Sequence, residues 1–353
     1  MSASVSDLTV EERAIQDEQE TKEAERLDRP PAAPEHIPPA KVYQPLSFPV
    51  IALLMPGAVF GTLARLGLVA LMTYDGNSVF PLVYAQAVGC LVIGITMRFK
   101  EPLGQLYAPL YTGITTGFCG SLTTFSSWQW DVFSAWINAD GFHRGGFKNF
   151  LDGIGQSTIT LSLSLASLAF GYNIAALIVP ELPKPRLLRK PIRYGLSSVA
   201  TLTYAATFLT YFLLPASVRH KATAALVFSF PGVLTRYLLS LTLNQRFRAL
   251  PAGTLAANIL GTSLLAAFHL IQRLNTPVSQ NACSVLEGLI DGYCGCLTTI
   301  STFAAELRDL PGWKAVRYAL VSWVLGQVVI VLIYGGPLWT GHVKETLTCT
   351  FQR

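Results

Sequence analysis

Charge is scarce in this chain of 353 residues, where Asp, Glu, Lys and Arg make up 13% against 51% hydrophobic residues. Soluble domains carry about 25% charged residues, so the shortage argues against a water-soluble globular protein. Metal and redox signatures are also missing: there is no CxxC, no HExxH and no cluster among the five histidines. Without GxxxxGK[ST], there is no loop to cradle nucleotide phosphates. No nucleophile, base and acid converge in sequence, which excludes a recognisable enzyme. Six cysteines over this length do not make a disulfide framework. Cys90, Cys119, Cys283, Cys294 and Cys296 lie in or beside apolar runs, and Cys349 lies in the C-terminal tail.

The charge that remains is unevenly placed. Residues 1–47 hold 10 of the 21 acidic side chains beside 5 basic ones, and are Pro-rich from Pro30 to Pro39. They lack an apolar stripe and a short apolar core behind a basic start, so they read as a solvated cytoplasmic tail rather than a signal peptide. Residues 48–353 keep 11 acidic and 21 basic side chains, a net +10, while the chain as a whole has a mean hydropathy of +0.42. That combination describes an all-α integral membrane protein.

Crossing ~30 Å of hydrocarbon takes about 20 apolar helical residues. Nine segments qualify: 48–72, 79–98, 107–137, 150–179, 194–214, 223–243, 251–272, 282–308 and 312–334. The third and eighth have Gly-rich interiors and are candidates for broken helices. With the N-terminus in the cytoplasm, 12 basic residues fall in inside loops and 5 in outside loops, which favours N-inside, C-outside.

Self-comparison adds more. "GFCGSLTTFSSWQWD" at 117–131 returns as "GYCGCLTTISTFAAE" at 292–306, and "GTLAR" ending at Arg65 returns as "GVLTR" ending at Arg236. Between these blocks "AQAVG" at 85–89 partly matches "AANIL-G" at 257–261, setting Gln86 against Asn258. Each copy holds four spans, 48–179 and 223–334, and one span (194–214) lies in the linker 180–222; residues 335–353 form an extracellular tail. Four spans return the chain to its starting side. The extra crossing therefore inverts the second copy, and such repeats place an ion or substrate site at their midplane interface.

The repeated G-x-C-G-x-L-T-T-x-S block, with its preceding GxxxR and AxN-like spans, resembles the CrcB/Fluc fluoride-channel family. The fused form with a central linker helix is similar to the fluoride exporters of fungi, and the resemblance covers about 48–334. It implies a monomer acting as a fused pseudo-dimer in the plasma membrane, with two fluoride pathways flanking a structural sodium ion. The sodium would be held by backbone carbonyls at Gly120 and Ser121 and at Gly295 and Cys296. The family's pore asparagine falls on Asn258, and on Gln86 in the first copy. Its pair of phenylalanines falls on Phe125 and Trp128, and on Ile300 and Phe303. If each pathway takes one aromatic from each copy, Phe125 and Phe303 complete one box, whereas Ile300 and Trp128 leave the other degenerate.

A hydroxyl track is expected on the fourth span of each copy, at Tyr318 and Ser322 and, in the first, at Thr158 followed by Ser162. Arg65 and Arg236 match the family's first-span arginine. They read either as attracting anions near an opening or as snorkelling to headgroups and capping carbonyls. The resulting expectation is a passive fluoride export channel. The competing reading is a proton-coupled antiporter using Glu287, Asp291, Asp131 and Glu306, the rare acids near the spans. A further alternative, a non-transporting scaffold, leaves the shared polar blocks unexplained.

Overall fold

The computed structural model describes residues 43–73, 80–139, 141–179, 185–214, 221–247 and 250–350. Most of the N-terminal tail, together with Lys184, Arg219 and Arg248, lies outside them. Among the described residues every regular element is helical, apart from one antiparallel bridge between Leu274 and Val343. Six helices are long and apolar enough to cross a membrane. They are α1 (Phe48–Leu71), α5 (Gly146–Ile178), α6 (Lys190–Leu213), α7 (Lys221–Arg246), α8 (Ala252–Gln272) and α11 (Gly312–Ile330, prolonged to Trp339). Helix α2 (Val83–Arg98) is apolar but shorter.

The other two expected spans are interrupted, as their glycines suggested. Helix α3 (Lys100–Thr112) continues through a π-helical stretch, Gly113–Cys119, and one turn, Gly120–Leu122. Thr123 and Thr124 are then extended, and α4 (Phe125–Ile137) begins. The later copy repeats this: α9 (Gln280–Gly288), π-helical Leu289–Cys294, the turn Gly295–Leu297, a break, and α10 (Ser301–Asp309). The extended residues are threonines rather than the glycines three or four positions earlier. β-Branching disfavours the helix there, and the hydroxyls offer the backbone an alternative partner.

Glycine contacts assemble these pieces. Gly57 of α1 lies against the backbone of Gly113 and Gly117, and Gly232 of α7 against that of Tyr293. A Cβ on Gly94 would overlap the Leu168 carbonyl, and one on Gly171 the Leu91 carbonyl, so α2 and α5 touch backbone to backbone. Close approach of this kind is how helices gain packing energy where lipid removes the hydrophobic drive.

The C-terminal residues form a strap along the α8–α9 connection. Lys344 N donates to Arg273 O at 2.9 Å, and Thr348 N to Gln272 O at 3.2 Å. Cys349 is disulfide-bonded to Cys283, 66 positions earlier. One bond is not a framework, as expected from the sequence, but the position of Cys283 at the start of an apolar segment did not announce it, because its pairing depends on the strap folding back. The remaining four are buried and free.

Candidate functional site

The two breaks meet in the middle of the molecule, and the side chains around them are arranged twice. In the first copy Gln86 Nε2 donates to Thr124 O at 2.7 Å while its Oε1 accepts from Thr124 N at 3.2 Å. In the second, Asn258 Nδ2 donates to Thr299 O at 3.3 Å and its Oδ1 accepts from Thr299 N at 2.9 Å. Both amides are buried, and both clasp the backbone of the second threonine of a break. Such a clasp supplies the N–H and C=O partners that a helix would have provided, as buried backbone requires. The longer stem of Gln86 does not prevent the same double bond.

The break also redirects donors. In an uninterrupted helix Thr124 N and Phe125 N would bond the carbonyls of Gly120 and Ser121; they bond Gln86 and Thr298 instead. Likewise Thr299 N and Ile300 N turn to Asn258 and Thr123, away from Gly295 and Cys296. The four carbonyls expected to hold sodium are thus among those that lose their helical donors, as are Leu122 and Leu297, because Ser126 N and Ser301 N also turn to Thr298 and Thr123. Cys296 O accepts from Arg236 Nε at 2.9 Å, and the buried hydroxyl of Ser121 has no partner among the described residues. Gly120, Ser121 and Gly295 therefore supply hard oxygen donors of the kind such a cation takes.

Arg65 and Arg236 lie deep in the protein, each 2% exposed. They cross between copies. Arg236 Nη2 donates to Thr116 O at 2.8 Å, and Arg65 Nη2 donates to Asp291 O, the matching position of the other copy. A Cβ on Gly120 would overlap the Arg236 guanidinium, and one on Gly295 that of Arg65. The two glycines thus leave room for two braces that tie each first helix to the opposite π-helical stretch. Arg65 also borders a cavity of about 710 Å³, with Asp131, Trp130, His269, Glu287 and Asp291 on its walls.

The residues expected to line the pathways are not arranged twice. Phe125 and Phe303, from opposite copies, meet edge to face with centroids 5.8 Å apart. Phe303 contacts Tyr318 at 5.2 Å, and the Tyr318 hydroxyl donates to Glu306 at 2.9 Å. Glu306 also accepts from Thr254, one turn from Asn258 on α8. Phe125, Phe303, Tyr318, Glu306, Thr254 and Asn258 therefore form one continuous series. Ser322, one turn beyond Tyr318, is buried with a hydroxyl that has no partner among the described residues.

The counterpart series differs at its rings, while Asp131 stands where the second copy has Glu306. Ile300 is buried and presents no ring, and Trp128 turns its Nε1 to Gln156 O at 3.3 Å. The expected track at Thr158 and Ser162 faces outward: both are exposed, and Thr158 bonds its own helix at Ile154 O. The buried hydroxyls of α5 are Ser157, Thr160 and Ser164. Matched by burial, Tyr318 and Ser322 correspond to Gly153 and Ser157, one residue before the expected register. One residue turns a helix by about 100°, enough to exchange inner and outer faces. Trp136 fills the space over Gly153.

Sequence reasoning did not single out Thr254, which no motif marks, or Thr123 and Thr298, although both lie in the repeated block. Glu306 was considered only as a proton carrier.

Residues 52–172 and 223–335 match the family model described as "CrcB-like protein, Camphor Resistance (CrcB)". "Fluoride export protein 1" of Candida albicans is 32% identical over 319 residues, covering 83% of this chain and 81% of that protein. "Fluoride export protein 1" of Schizosaccharomyces pombe is 35% identical over 301 residues, 81% of this chain and 94% of that protein. "Fluoride-specific ion channel FluC" of Dechloromonas aromatica is 45% identical over 122 residues, 34% of this chain and 75% of that protein. No solved structure matches the chain.

Proposed function

Because this chain belongs to the CrcB family, with a match in each of its halves, we propose that it is a passive, fluoride-selective channel that exports fluoride from the cytoplasm. The observation that carries the proposal is the contact of Phe125 and Phe303 from opposite halves, beside two clasped helix breaks. Ring edges carry partial positive charge, so two of them can face an anion without a cation to trap it. A small, strongly hydrated anion cannot shed water unless hydrogen-bond donors replace it. The Ser322 hydroxyl and the second amide hydrogen of Asn258 are donors of this sort.

The chain then crosses the membrane nine times, as two inverted four-helix repeats around α6, a fused pseudo-dimer complete within one monomer. Its N-terminus is cytoplasmic and its C-terminus extracellular in the plasma membrane. The Cys283–Cys349 bond supports that orientation, since disulfides persist on the oxidising side. A structural sodium ion held by the carbonyls of Gly120, Ser121 and Gly295 would neutralise their dipoles and fix the breaks. The Phe125–Phe303 path conducts, and the path with Ile300 and Trp128 is degenerate. Export needs no ATP: hydrogen fluoride enters neutral, ionises inside, and the anion is driven out by about 2.3 kcal/mol per 100 mV of inside-negative potential.

The Glu306 carboxyl, bonded by Thr254 and Tyr318, favours the antiporter as the second reading. Purified protein in liposomes separates the two. With voltage clamped by a potassium ionophore and no pH gradient, a channel releases fluoride and retains chloride. Release that requires a pH gradient would identify the antiporter, and no release of fluoride would end the proposal.

A further inference from the structure

The residue before each half-helix that follows a break, Thr124 before α4 and Ile300 before α10, makes no side-chain cap. Among the described residues the one local bond is a long one, Thr302 N to Thr299 Oγ1 at 3.4 Å. The first N–H groups of both are nevertheless satisfied, by a hydroxyl from the other half. Phe125 N and Ser126 N each donate to Thr298 Oγ1 at 3.1 Å. Ile300 N and Ser301 N donate to Thr123 Oγ1 at 3.3 and 3.0 Å.

Each hydroxyl has a carbonyl of its own half within donating distance. Thr123 donates to Cys119 O and Thr298 to Cys294 O, both at 3.0 Å. Thr123 Oγ1 also lies 3.1 Å from the hydroxyls of Thr299 and Ser301, and Thr298 Oγ1 3.0 Å from those of Thr124 and Ser126. One proton and two lone pairs on each thus serve a hydroxyl cluster as well as a helix start. Both threonines are 0% exposed. Buried from bulk solvent, the first N–H groups of both half-helices take these two oxygens as acceptors.

We propose that Thr123 and Thr298 are positioning residues of the ion pathway, each fixing the start of the half-helix that belongs to the opposite half. Phe125 is the first residue of α4, and its own N–H is one of the bonds to Thr298, so its ring cannot shift along the axis without breaking that bond. Phe303 stands two residues after Ser301, whose N–H Thr123 holds. The meeting of the two rings is therefore set by a reciprocal exchange of caps, distinct from the clasps of Gln86 and Asn258, which act within each half. The effect on transport rests on the channel reading; the exchange of caps does not.

The test uses the full chain in lipid nanodiscs with residue-resolved amide hydrogen exchange, alongside fluoride efflux from liposomes. In T298V, an isostere without the oxygen, exchange at Phe125 and Ser126 rises about tenfold or more while Ile300 and Ser301 stay protected. T123V gives the converse. Efflux falls about tenfold in either valine variant and stays within about twofold of wild type in T298S and T123S, which keep the oxygen. If T298V does not fold, T298A removes the same hydroxyl without a second branch and is read in the same way. Faster exchange in the substituted half, or in neither, overturns the proposal, as does normal efflux in the valine variants. Wild-type protein that releases no fluoride would instead overturn the channel reading and leave the exchange pattern to decide the caps.

Discussion

Gln86 clasps Thr124 as Asn258 clasps Thr299, and Arg65 reaches Asp291 as Arg236 reaches Thr116. One turn away the likeness ends. Phe303 meets Tyr318, whereas the matching Trp128 turns to Gln156 and the position matched to Tyr318 is Gly153, filled by Trp136; Phe125 touches both Phe303 and Trp128. Groups that hold exposed backbone at membrane depth are needed wherever a helix breaks, because every unpaired N–H or C=O is costly there. Lining groups are needed only where an ion passes. One half can therefore lose its lining and still fold, provided it keeps its braces.

This comparison can be broken at its strongest point first. Gln86→Ala and Asn258→Ala each remove two hydrogen bonds and orphan a buried N–H and C=O, so each should cost about 2 kcal/mol of stability, and similar amounts. Thermal unfolding of the two variants side by side checks this; a large cost at one and none at the other would mean the clasps are not equivalent. Asn258→Ala should reduce fluoride efflux further than Gln86→Ala.

Phe125→Ala removes one ring of the pair that bridges the halves. Efflux should fall about tenfold, equivalent to ~1.4 kcal/mol at the barrier, against about twofold for Trp128→Ala. Tyr318→Phe keeps the ring against Phe303 and loses only the bond to Glu306, about 1 kcal/mol. Its efflux should drop about fivefold, whereas Ser157→Ala, on the buried face of α5, should transport normally. Thr158→Ala and Ser162→Ala face outward and should change neither efflux nor unfolding temperature.

The sequence displayed the duplicated parts most clearly, because duplication is what self-comparison detects. The Thr-Thr breaks, Gln86 against Asn258, and the complementary loss of one phenylalanine from each copy could all be read from aligned blocks. The fourth helices share no such block. Their loops differ in length between Ile137 and Gly146 and between Asp309 and Gly312, and Ser and Thr recur along α5, so the register slipped by one residue and named Thr158 and Ser162 in place of Ser157. The arginines were recognised as a pair, but a long side chain can reach water or an opposite carbonyl equally well, and only packing decides which. The Cys283–Cys349 bond was hidden for a similar reason: a separation of 66 residues carries no information on pairing until the strap is placed.

The central claim is that a symmetric scaffold carries a single conducting path, and Phe303 and Ile300 test it within one α10 segment. Liposomes holding purified wild type, Phe303→Ala or Ile300→Ala are loaded with fluoride and clamped with a potassium ionophore, and the initial efflux rate is read with a fluoride electrode. The account predicts about a tenfold loss for Phe303→Ala and wild-type rates within about twofold for Ile300→Ala. Equal losses in the two variants, or a greater loss at Ile300, would contradict it.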